Sequence, residues 1–374
     1  MCRNAYVSLV LLFVTMAVPA FAADAPAPAA KPGPRAAEFT EAFMRFKAIL
    51  AEATNLRVEY RTADARQQAE LKAKWNQLME KGAAAREELV AAAQKAYAEA
   101  PNADKQVSDA LVFELSAWNK SDDYEKAFPI GKLLMDNHCA DSGVAAMAGM
   151  AAFAVGEFDL AGQYLQAAEK QGQLSDQERM EALANISYYQ EAWPKEKELR
   201  QAEAKRDLPR VLLKTNRGDI ELELFEDQAP NSVANFISLV DKGFYNGLTF
   251  HRVLAGFMAQ GGCPKGDGTG GPGYAIKAEF TRADHRLHFR GSLSMARSQD
   301  ADSAGSQFYL MFAPKRSLDG QYTVFGRMLS GYDVLAKIQR RDPSSREEQA
   351  DPDKIIEAKV LRKRAHPYVP EKAE

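Results

Sequence analysis

The chain has 374 residues, of which 46% are hydrophobic, 26% charged and 9% aromatic, and its formal net charge is −3. This length allows two or three domains of ordinary size, and the apolar fraction excludes a wholly disordered chain. The small net charge gives no reason to expect nucleic-acid binding, and three cysteines are too few for a disulfide scaffold.

The first 22 residues predict a secretory signal peptide. One basic residue, Arg3, precedes a nearly continuous apolar run over residues 6–18, and the small residues Ala20 and Ala22 follow it. This order is typical of a signal that is cleaved before Ala23. An uncleaved membrane anchor is the alternative, but the run is short against the ~20 residues that a spanning helix needs. We therefore expect an exported protein without stable membrane insertion after cleavage. The periplasm is the most economical compartment, and an extracellular or organellar location is the alternative.

Residues 23–37 are rich in proline and alanine and predict an extended linker. From residue 38 to residue 104 good helix formers dominate, and apolar residues recur at helical spacing, beginning with Phe39 and Phe43. This segment predicts two long amphipathic helices, arranged as in a helical hairpin, with Gly82 as a candidate break.

Residues 105–206 carry a degenerate internal pattern of small and aromatic residues. Its most complete copy contains Gly149, Gly156, Phe158, Ala161 and Ala168. About 34 residues earlier, Tyr124 and Ala127 repeat the aromatic residue and the first alanine, so the segment resembles tetratricopeptide repeats. Such repeats bind a client or a protein partner, whereas the alternative is a generic helical bundle. A further helix is expected over 175–205, interrupted near Pro194.

The last two-fifths of the chain change to a strand pattern. Ile220, Leu222 and Leu224 alternate with glutamates, which predicts a strand with one buried face. Two helices are expected, one beginning at Pro230 and the other near Gly331. Short strands with only two helices predict an antiparallel barrel rather than a parallel α/β sheet.

Two dense motifs lie in this region, FHRVLAGFMAQGG over 250–262 and GSLSMARSQDADSAGSQFYLMFAPKRSLDGQYTVFGRM over 291–328. With these motifs in this order, residues 207–365 resemble the cyclophilin-type peptidyl-prolyl cis-trans isomerases, and residues 366–374 are left as a tail. The resemblance implies a closed eight-stranded antiparallel β-barrel with two capping helices. The expected fold class is therefore multidomain, an all-α region followed by this barrel.

The resemblance implies isomerisation of Xaa-Pro bonds, with no cofactor and no metal. Catalysis of rotation about this bond needs an apolar pocket for the proline ring and a donor that favours the twisted nitrogen. Arg252 matches the family's catalytic arginine, whose permanent charge suits that donor role. Gln260 is the second predicted catalytic residue and matches a residue of the family that hydrogen-bonds the substrate backbone. His285 and His288 are three residues apart, but no cluster of carboxylates or cysteines accompanies them in the sequence. They therefore predict no metal site.

The resemblance assigns substrate binding to eight further residues. They are Phe257, Met258, Ala296, Arg297, Gln307, Tyr309, Leu318 and Tyr322. The chain departs from the family pattern where Ala255 replaces a common proline, Arg297 an asparagine and Ser317 a tryptophan. Tyr309 and Tyr322 stand where phenylalanine and histidine are frequent. We expect the pocket to accept proline with an activity that differs from the family norm.

Two functional hypotheses follow. In the first, the protein is an exported folding catalyst whose helical repeats hold clients or a partner while the C-terminal domain isomerises their proline bonds. In the second, the protein is a non-catalytic scaffold that binds proline-containing peptides. Neither hypothesis involves a nucleic acid.

Overall fold

The computed structural model describes residues 34–373, which form two compact units. One unit comprises the described residues up to Ala117 together with Pro129–Val144, and the other comprises Trp118–Phe128 and the described chain from Ala145 onward. The predicted signal peptide and most of the predicted linker lie outside the described residues. None of the helices within residues 34–373 combines the length and the apolar character needed to span a bilayer.

Eight helices cover the described chain before the sheet begins. They are α1 (Pro34–Thr62), α2 (Ala65–Glu99), α3 (Lys105–Lys120), α4 (Tyr124–Asp136), α5 (Val144–Val155), α6 (Phe158–Lys170), α7 (Asp176–Glu181) and α8 (Ile186–Glu203). The two long helices predicted for the first segment are therefore present as α1 and α2, which pack against each other.

The break between α1 and α2 lies at Asp64, so the predicted break at Gly82 is wrong. The Asp64 carboxylate accepts hydrogen bonds from the backbone N–H groups of Arg66 and Gln67, each at 2.9 Å. The Gln67 side chain accepts a bond from the Asp64 N–H in return, which completes a capping box. Gly82 lies buried inside α2, because a single glycine costs a helix only ~1 kcal/mol relative to alanine and packing offsets that cost.

Helices α5 and α6 approach closely where the predicted pattern has its small residues. A Cβ atom at Gly149 would lie 2.7 Å from the Leu165 side chain, so only glycine fits this contact. The turn that follows α5 contains Gly156, whose φ is +87°, a conformation that favours glycine. Phe158 and Ala161 are buried at the start of α6.

Helix α8 continues through Pro194, so the predicted interruption there is wrong. Proline removes one backbone donor from a helix and crowds the preceding turn. Aromatic packing beside it offsets that loss, since the rings of Trp193 and Tyr189 lie 4.8 Å and 5.9 Å from the ring of Phe289. The helix is thus held in place by the domain on which it lies.

The second unit contains an eight-stranded antiparallel sheet. Its strands are β1 (Arg210–Thr215), β2 (Gly218–Leu224), β3 (Arg252–Leu254), β4 (Met258–Gly261), β5 (Ser292–Met295), β6 (Phe308–Met311), β7 (Val324–Ser330) and β8 (Ile355–Arg362). They lie in the order β3-β4-β6-β5-β7-β2-β1-β8. The predicted helices are α9 (Pro230–Asp241), which packs against β8, and α10 (Tyr332–Lys337), which packs against β2.

The sheet curls into an open half-barrel, so the prediction of a closed barrel is wrong. Its edges are β3 and β8, and within the described residues no ladder joins them. An isolated bridge between Thr249 and Lys354 brings the edges together at one point. The free side of β3 is occupied elsewhere, because Val253 and Arg341 exchange two backbone hydrogen bonds of 2.7 and 2.8 Å.

The last residues of the described chain pack on the sheet domain, although the sequence predicts them only as a tail. Tyr368 is buried in the main hydrophobic core, and its hydroxyl donates to Glu226 at 2.9 Å. Asn231 donates to the backbone carbonyl of Glu371 and accepts from its N–H. The segment therefore contributes side chains to the core that it covers.

Helix α8 is fixed to the sheet domain by a buried arginine. The side chain of Arg286 is 2% exposed, and its Nε and Nη2 donate to Glu196 at 3.0 and 2.8 Å. Its Nη1 donates to Glu203, and its guanidinium carbon lies 3.8 Å from the centre of the Phe225 ring. Helix and sheet thus share one buried polar cluster, whose residues lie on both sides of the predicted domain limit at residue 206.

A second arginine makes an equivalent contact with the first turn of α4 and the residues before it. Arg290 donates to the Glu125 carboxylate at 2.7 and 2.6 Å and to the backbone carbonyl of Asp122 at 2.8 Å. It also donates to the carbonyl of Phe312 within the sheet domain. The stretch that carries Arg286, Phe289 and Arg290 is therefore the surface on which these helices rest.

We predict that Glu196→Ala destabilises the full chain by about 3 kcal/mol, because it leaves the buried Arg286 without one of its two carboxylate partners. Glu169→Ala is the matched control, since Glu169 forms a half-exposed pair with Arg179 and should contribute less than ~1 kcal/mol. Urea unfolding followed by circular dichroism measures both. Equal losses for the two variants would contradict the role of the buried cluster.

Candidate active site

Strand register places the two predicted catalytic residues side by side. Arg252 on β3 pairs with Gln260 on β4, and Gln260 pairs with Tyr309 on β6. Tyr309 in turn pairs with Ser294 on β5. Directly paired residues point to the same face of a sheet, so these four side chains form a row across four strands.

This row lies on the face opposite the main core. The neighbouring residues Val253, Ala259 and Leu310 belong to the main core, which α9 covers with Phe236. Because successive side chains alternate between faces, Arg252, Gln260 and Tyr309 point away from it. One face of the sheet therefore packs against the main core, and the opposite face carries the residues of the candidate site.

A small apolar cluster lies on the same face. Its buried members are Met258, Tyr309 and Met311. Around them pack half-buried side chains, namely Leu254, Phe257, Ala296, Leu318 and Tyr322. The centre of the cluster is thus buried and its edges are partly accessible to solvent. The cluster brings together predicted pocket residues from four separate segments of the chain.

Arg252 lies at one edge of this cluster. Its guanidinium carbon is 5.9 Å from the centre of the Phe257 ring, and Lys315 Nζ lies 5.5 Å from the same centre. Among the described residues no carboxylate forms a salt bridge with Arg252, although the pKa of the nearby Asp342 is lowered by local hydrogen bonds and, in addition, by the charge of Arg252. Its donors are therefore available to a ligand bound over Phe257.

Gln260 and Gln307 are fixed by a chain of hydrogen bonds. Gln260 Nε2 donates to Gln307 Oε1 at 3.0 Å. Gln307 Nε2 donates to the carbonyls of Gly268 and Gly270 at 2.8 and 2.9 Å. Gln307 is thus a support for Gln260, anchored on the glycine-rich loop.

The end of β4 and the segment that leads into β6 approach each other closely because of one glycine. Gly262 has φ of +83°, and a Cβ atom there would lie 2.4 Å from the carbonyl oxygen of Ser306. Any other residue would push β4 away from the segment that carries Gln307. The motif glycine is therefore a geometric requirement of the site.

Arg297, the charged departure from the family pattern, is held at the rim. It donates to the carbonyls of Gln321, Ser298 and Gln299 at 3.0, 2.8 and 3.1 Å. Its guanidinium carbon lies 4.6 Å from the Tyr322 ring centre. The side chain thus ties two rim loops together, and Ala296 beside it donates its N–H to the Gln307 carbonyl at 2.9 Å.

The wall residue Tyr309 is bonded to a buried histidine that sequence reasoning missed. His288 is fully buried; its Nε2 lies 3.0 Å from the Tyr309 hydroxyl and its Nδ1 lies 2.9 Å from Asp319 Oδ1. Burial lowers the pKa of His288, although the Asp319 carboxylate opposes that shift. In the neutral ring, Nδ1–H donates to Asp319 and Nε2 accepts from Tyr309. The sequence signal that could have indicated such a partner is Tyr309 itself, because a buried tyrosine hydroxyl needs a hydrogen-bond partner.

Helices α7 and α8 hold the loop that carries Leu318. Lys315 forms an ion pair with Glu181, and Arg316 Nη1 donates to Asn185 at 3.1 Å. The Arg316 guanidinium carbon lies 4.4 Å from the Tyr188 ring centre. No sequence motif predicts these contacts, because the residues on each side are types that are common on protein surfaces.

The turn before Phe257 has an anchor of its own. Gly256, which follows Ala255, donates its N–H to Asp122 Oδ1 at 2.9 Å. Asp122 is buried, and its Oδ2 accepts from Arg340 at 2.5 Å. This carboxylate holds the turn in which alanine replaces the family's common proline.

The sheet domain is similar in sequence to known proteins. Residues 210–360 match the family model described as cyclophilin type peptidyl-prolyl cis-trans isomerase/CLD. A peptidyl-prolyl cis-trans isomerase of Helicobacter pylori is 54% identical over 132 residues, which cover 35% of this chain and 80% of that protein. Peptidyl-prolyl cis-trans isomerase B of Bacillus subtilis is 50% identical over 123 residues, covering 33% of this chain and 85% of the relative.

Among solved structures, a cyclophilin type peptidyl-prolyl cis-trans isomerase of Cryptosporidium parvum is 30% identical. The match covers 42% of this chain and 99% of that one, with a TM-score of 0.38. A cyclophilin from Hirschia baltica is 29% identical and covers 44% of this chain and 80% of its own, with a TM-score of 0.35.

We predict that stability declines as the pH falls below about 6.5, in part through His288. The unfolded chain takes up a proton on this histidine near its ordinary pKa of 6.5, whereas burial lowers the pKa in the folded chain. The contribution is therefore fully present above pH 6.5 and is lost as the pH falls toward the folded pKa. Urea midpoints between pH 5 and pH 8 should fall less steeply for His288→Gln than for the wild type, and identical slopes would refute the assignment.

Proposed function

The chain belongs to the cyclophilin-type peptidyl-prolyl cis-trans isomerases and is an enzyme of that class, and we propose that it isomerises Xaa-Pro bonds in exported proteins as a folding catalyst. The observation that carries this proposal is the position of Arg252 and Gln260 in register beside an apolar cluster with accessible edges. The cluster suits a proline ring, and the two polar side chains suit the peptide that flanks it.

The chemistry requires one main interaction. The planar peptide bond resists rotation by ~18–20 kcal/mol because the nitrogen lone pair is delocalised into the carbonyl. When the bond twists, the nitrogen becomes pyramidal and can accept a hydrogen bond. A guanidinium at the position of Arg252 stabilises that twisted state more than either planar state, which is the condition for catalysis.

The pocket fixes the part of the substrate that does not rotate. A proline ring seated between Phe257 and Leu318 over Met258 would bury apolar surface in both isomers. Gln260, supported by Gln307, would bond the substrate backbone on the other side of the imide. With ring and backbone held, rotation is confined to the bond beside Arg252.

We assign the other predicted substrate-binding residues to the wall and the rim of the pocket. Tyr309 and Tyr322 form the wall, with ring centres 6.2 Å apart. Arg297 uses its donors on loop carbonyls, so it would shape the rim rather than bond the substrate directly. Ala296 lies between the wall and Arg297 and would contact the substrate through its main chain.

We also propose that the helices over residues 105–206 bind clients or a protein partner. The equivalent positions of the two predicted repeat copies are all buried: Tyr124, Ala127 and Leu134 in the first, and Phe158, Ala161 and Ala168 in the second. The close approach of Gly149 to Leu165 agrees with tetratricopeptide-like packing. A repeat-like scaffold on the same chain as the catalytic sheet would raise the local concentration of an unfolded client.

The catalytic assignment is tested with Arg252→Ala in the full chain. We expect kcat/KM for a proline tetrapeptide to fall about 100-fold, because one transition-state donor is removed. Arg282→Ala is the control, since Arg282 forms an exposed pair with Asp284 and should leave the rate unchanged. A wild-type rate no higher than that of Arg252→Ala would refute the catalytic role.

Client binding by the helices predicts a higher kcat/KM for an unfolded protein than for the tetrapeptide. A lower kcat/KM for the unfolded protein would refute client binding.

The proposed periplasmic location rests on the signal-like residues 1–22, and the mature N-terminus tests it. Expression of the full chain in a Gram-negative host should yield a periplasmic protein that begins at Ala23, as measured by intact mass. Leu11→Arg with Leu12→Arg interrupts the apolar run and should leave the uncleaved precursor in the cytoplasm. A wild-type chain that stays uncleaved in the cytoplasm would refute export.

A further inference from the structure

We propose that Tyr188, on helix α8, is a positioning residue for the isomerase pocket and acts through Asp319 and His288 on Tyr309. This inference rests on the proposed function, because it takes the Tyr309 cluster as the proline pocket. It assigns to the helical region a role in catalysis that does not depend on binding a client.

The first step is the bond between the helix and the pocket loop. Tyr188 donates its hydroxyl to Asp319 Oδ2 at 2.9 Å. Asp319 directly follows Leu318, which lines the pocket, and its side chain is 7% exposed. A buried carboxylate must have all its acceptor sites satisfied, so the loss of this donor changes how Asp319 sits.

The second step is the bond between the loop and the buried histidine. The other oxygen of Asp319 accepts from the His288 backbone N–H at 2.7 Å and from its Nδ1 at 2.9 Å. These bonds fix both the tautomer and the ring plane of His288. Its Nε2 is thereby presented as the acceptor for the Tyr309 hydroxyl at 3.0 Å.

The third step reaches the pocket. Tyr309 is buried against Met258, and its ring forms the wall that faces Tyr322. A phenylalanine at this position would be held by packing alone, whereas the tyrosine is also held through its hydroxyl. The hydrogen-bonded chain Tyr188–Asp319–His288–Tyr309 therefore links a helix surface to the pocket wall over four side chains.

The loop is held from the same helices at two further points. Lys315 pairs with Glu181, and Arg316 contacts Asn185 and the face of the Tyr188 ring. In Tyr188→Phe these contacts are kept and only the hydroxyl is removed. The variant thus separates the hydrogen-bonded chain from the general support of the loop.

The experiment compares Tyr188→Phe with Tyr368→Phe in the full chain. Tyr368 is a matched control, because its hydroxyl also donates to a carboxylate at 2.9 Å but lies outside the pocket. We expect Tyr188→Phe to lower kcat/KM for a proline tetrapeptide roughly threefold to tenfold, mainly through a higher KM, while Tyr368→Phe stays within twofold. Tyr188→Phe within twofold of the wild type would overturn the proposal.

Two readouts separate positioning from a loss of stability. The ¹³C-methyl resonance of Met258, assigned with Met258→Leu, should shift in Tyr188→Phe and not in Tyr368→Phe, and an unshifted resonance would overturn the proposal. The effect of Tyr188→Phe should also shrink in a Tyr309→Phe background, because the chain then lacks its last hydroxyl. Fully additive effects on kcat/KM would show that Tyr188 does not act through Tyr309.

The outcomes distinguish this inference from the proposed function. If the wild type is no faster than Arg252→Ala, the proposed function fails, and the Met258 resonance still tests whether Tyr188 positions the pocket. If the wild type is active and depends on Arg252 while Tyr188→Phe behaves like Tyr368→Phe, only the positioning role fails.

Discussion

A buried guanidinium group must be paired, and that constraint ties the helices to the sheet. Arg286 is 2% exposed and Arg290 is buried, yet the sheet domain alone provides neither with a carboxylate. Their partners are Glu196, Glu203 and Glu125, all from the helical part of the chain. Desolvating these charges without partners would cost several kcal/mol each. The segment before β5 therefore requires the helices, because among the described residues only they provide carboxylates for its two buried arginines. The helices thus complete the domain that carries the site.

The alternation of side chains along short strands then divides the sheet into two faces with different uses. Val253 and Ala259 face the main core, whereas Arg252 and Gln260 face the site. A shift in register by one residue would exchange the two sets and destroy both. Folding and chemistry thus depend on the same pairing of β3 with β4, a strand pair only three to four residues long.

Much of the sheet domain could be predicted from the sequence, because its signals are local. Alternation at Ile220 to Leu224 predicted β2, and Pro230 marked the first residue of α9. The contacts that place Tyr188 beside Asp319 could not be predicted, since they join residues 131 positions apart and involve no motif. The closed barrel was expected from the family resemblance rather than from a local pattern, and it was wrong because the edge strand β3 bonds to Arg341 and, in the described part of the chain, forms no ladder with β8. The breaks predicted at Gly82 and Pro194 were wrong because tertiary packing outweighed a local rule.

The bond from Gly256 to Asp122 changes how the turn before Phe257 can evolve. A proline stiffens a turn through its own ring, so such a turn needs nothing from the rest of the protein. Here the stiffness comes from a carboxylate that lies 134 positions earlier in the chain. Positions 122 and 255 are therefore expected to vary together, because Asp122 holds the turn in which position 255 is not proline. Where no carboxylate occupies the position of Asp122, the turn should keep its proline.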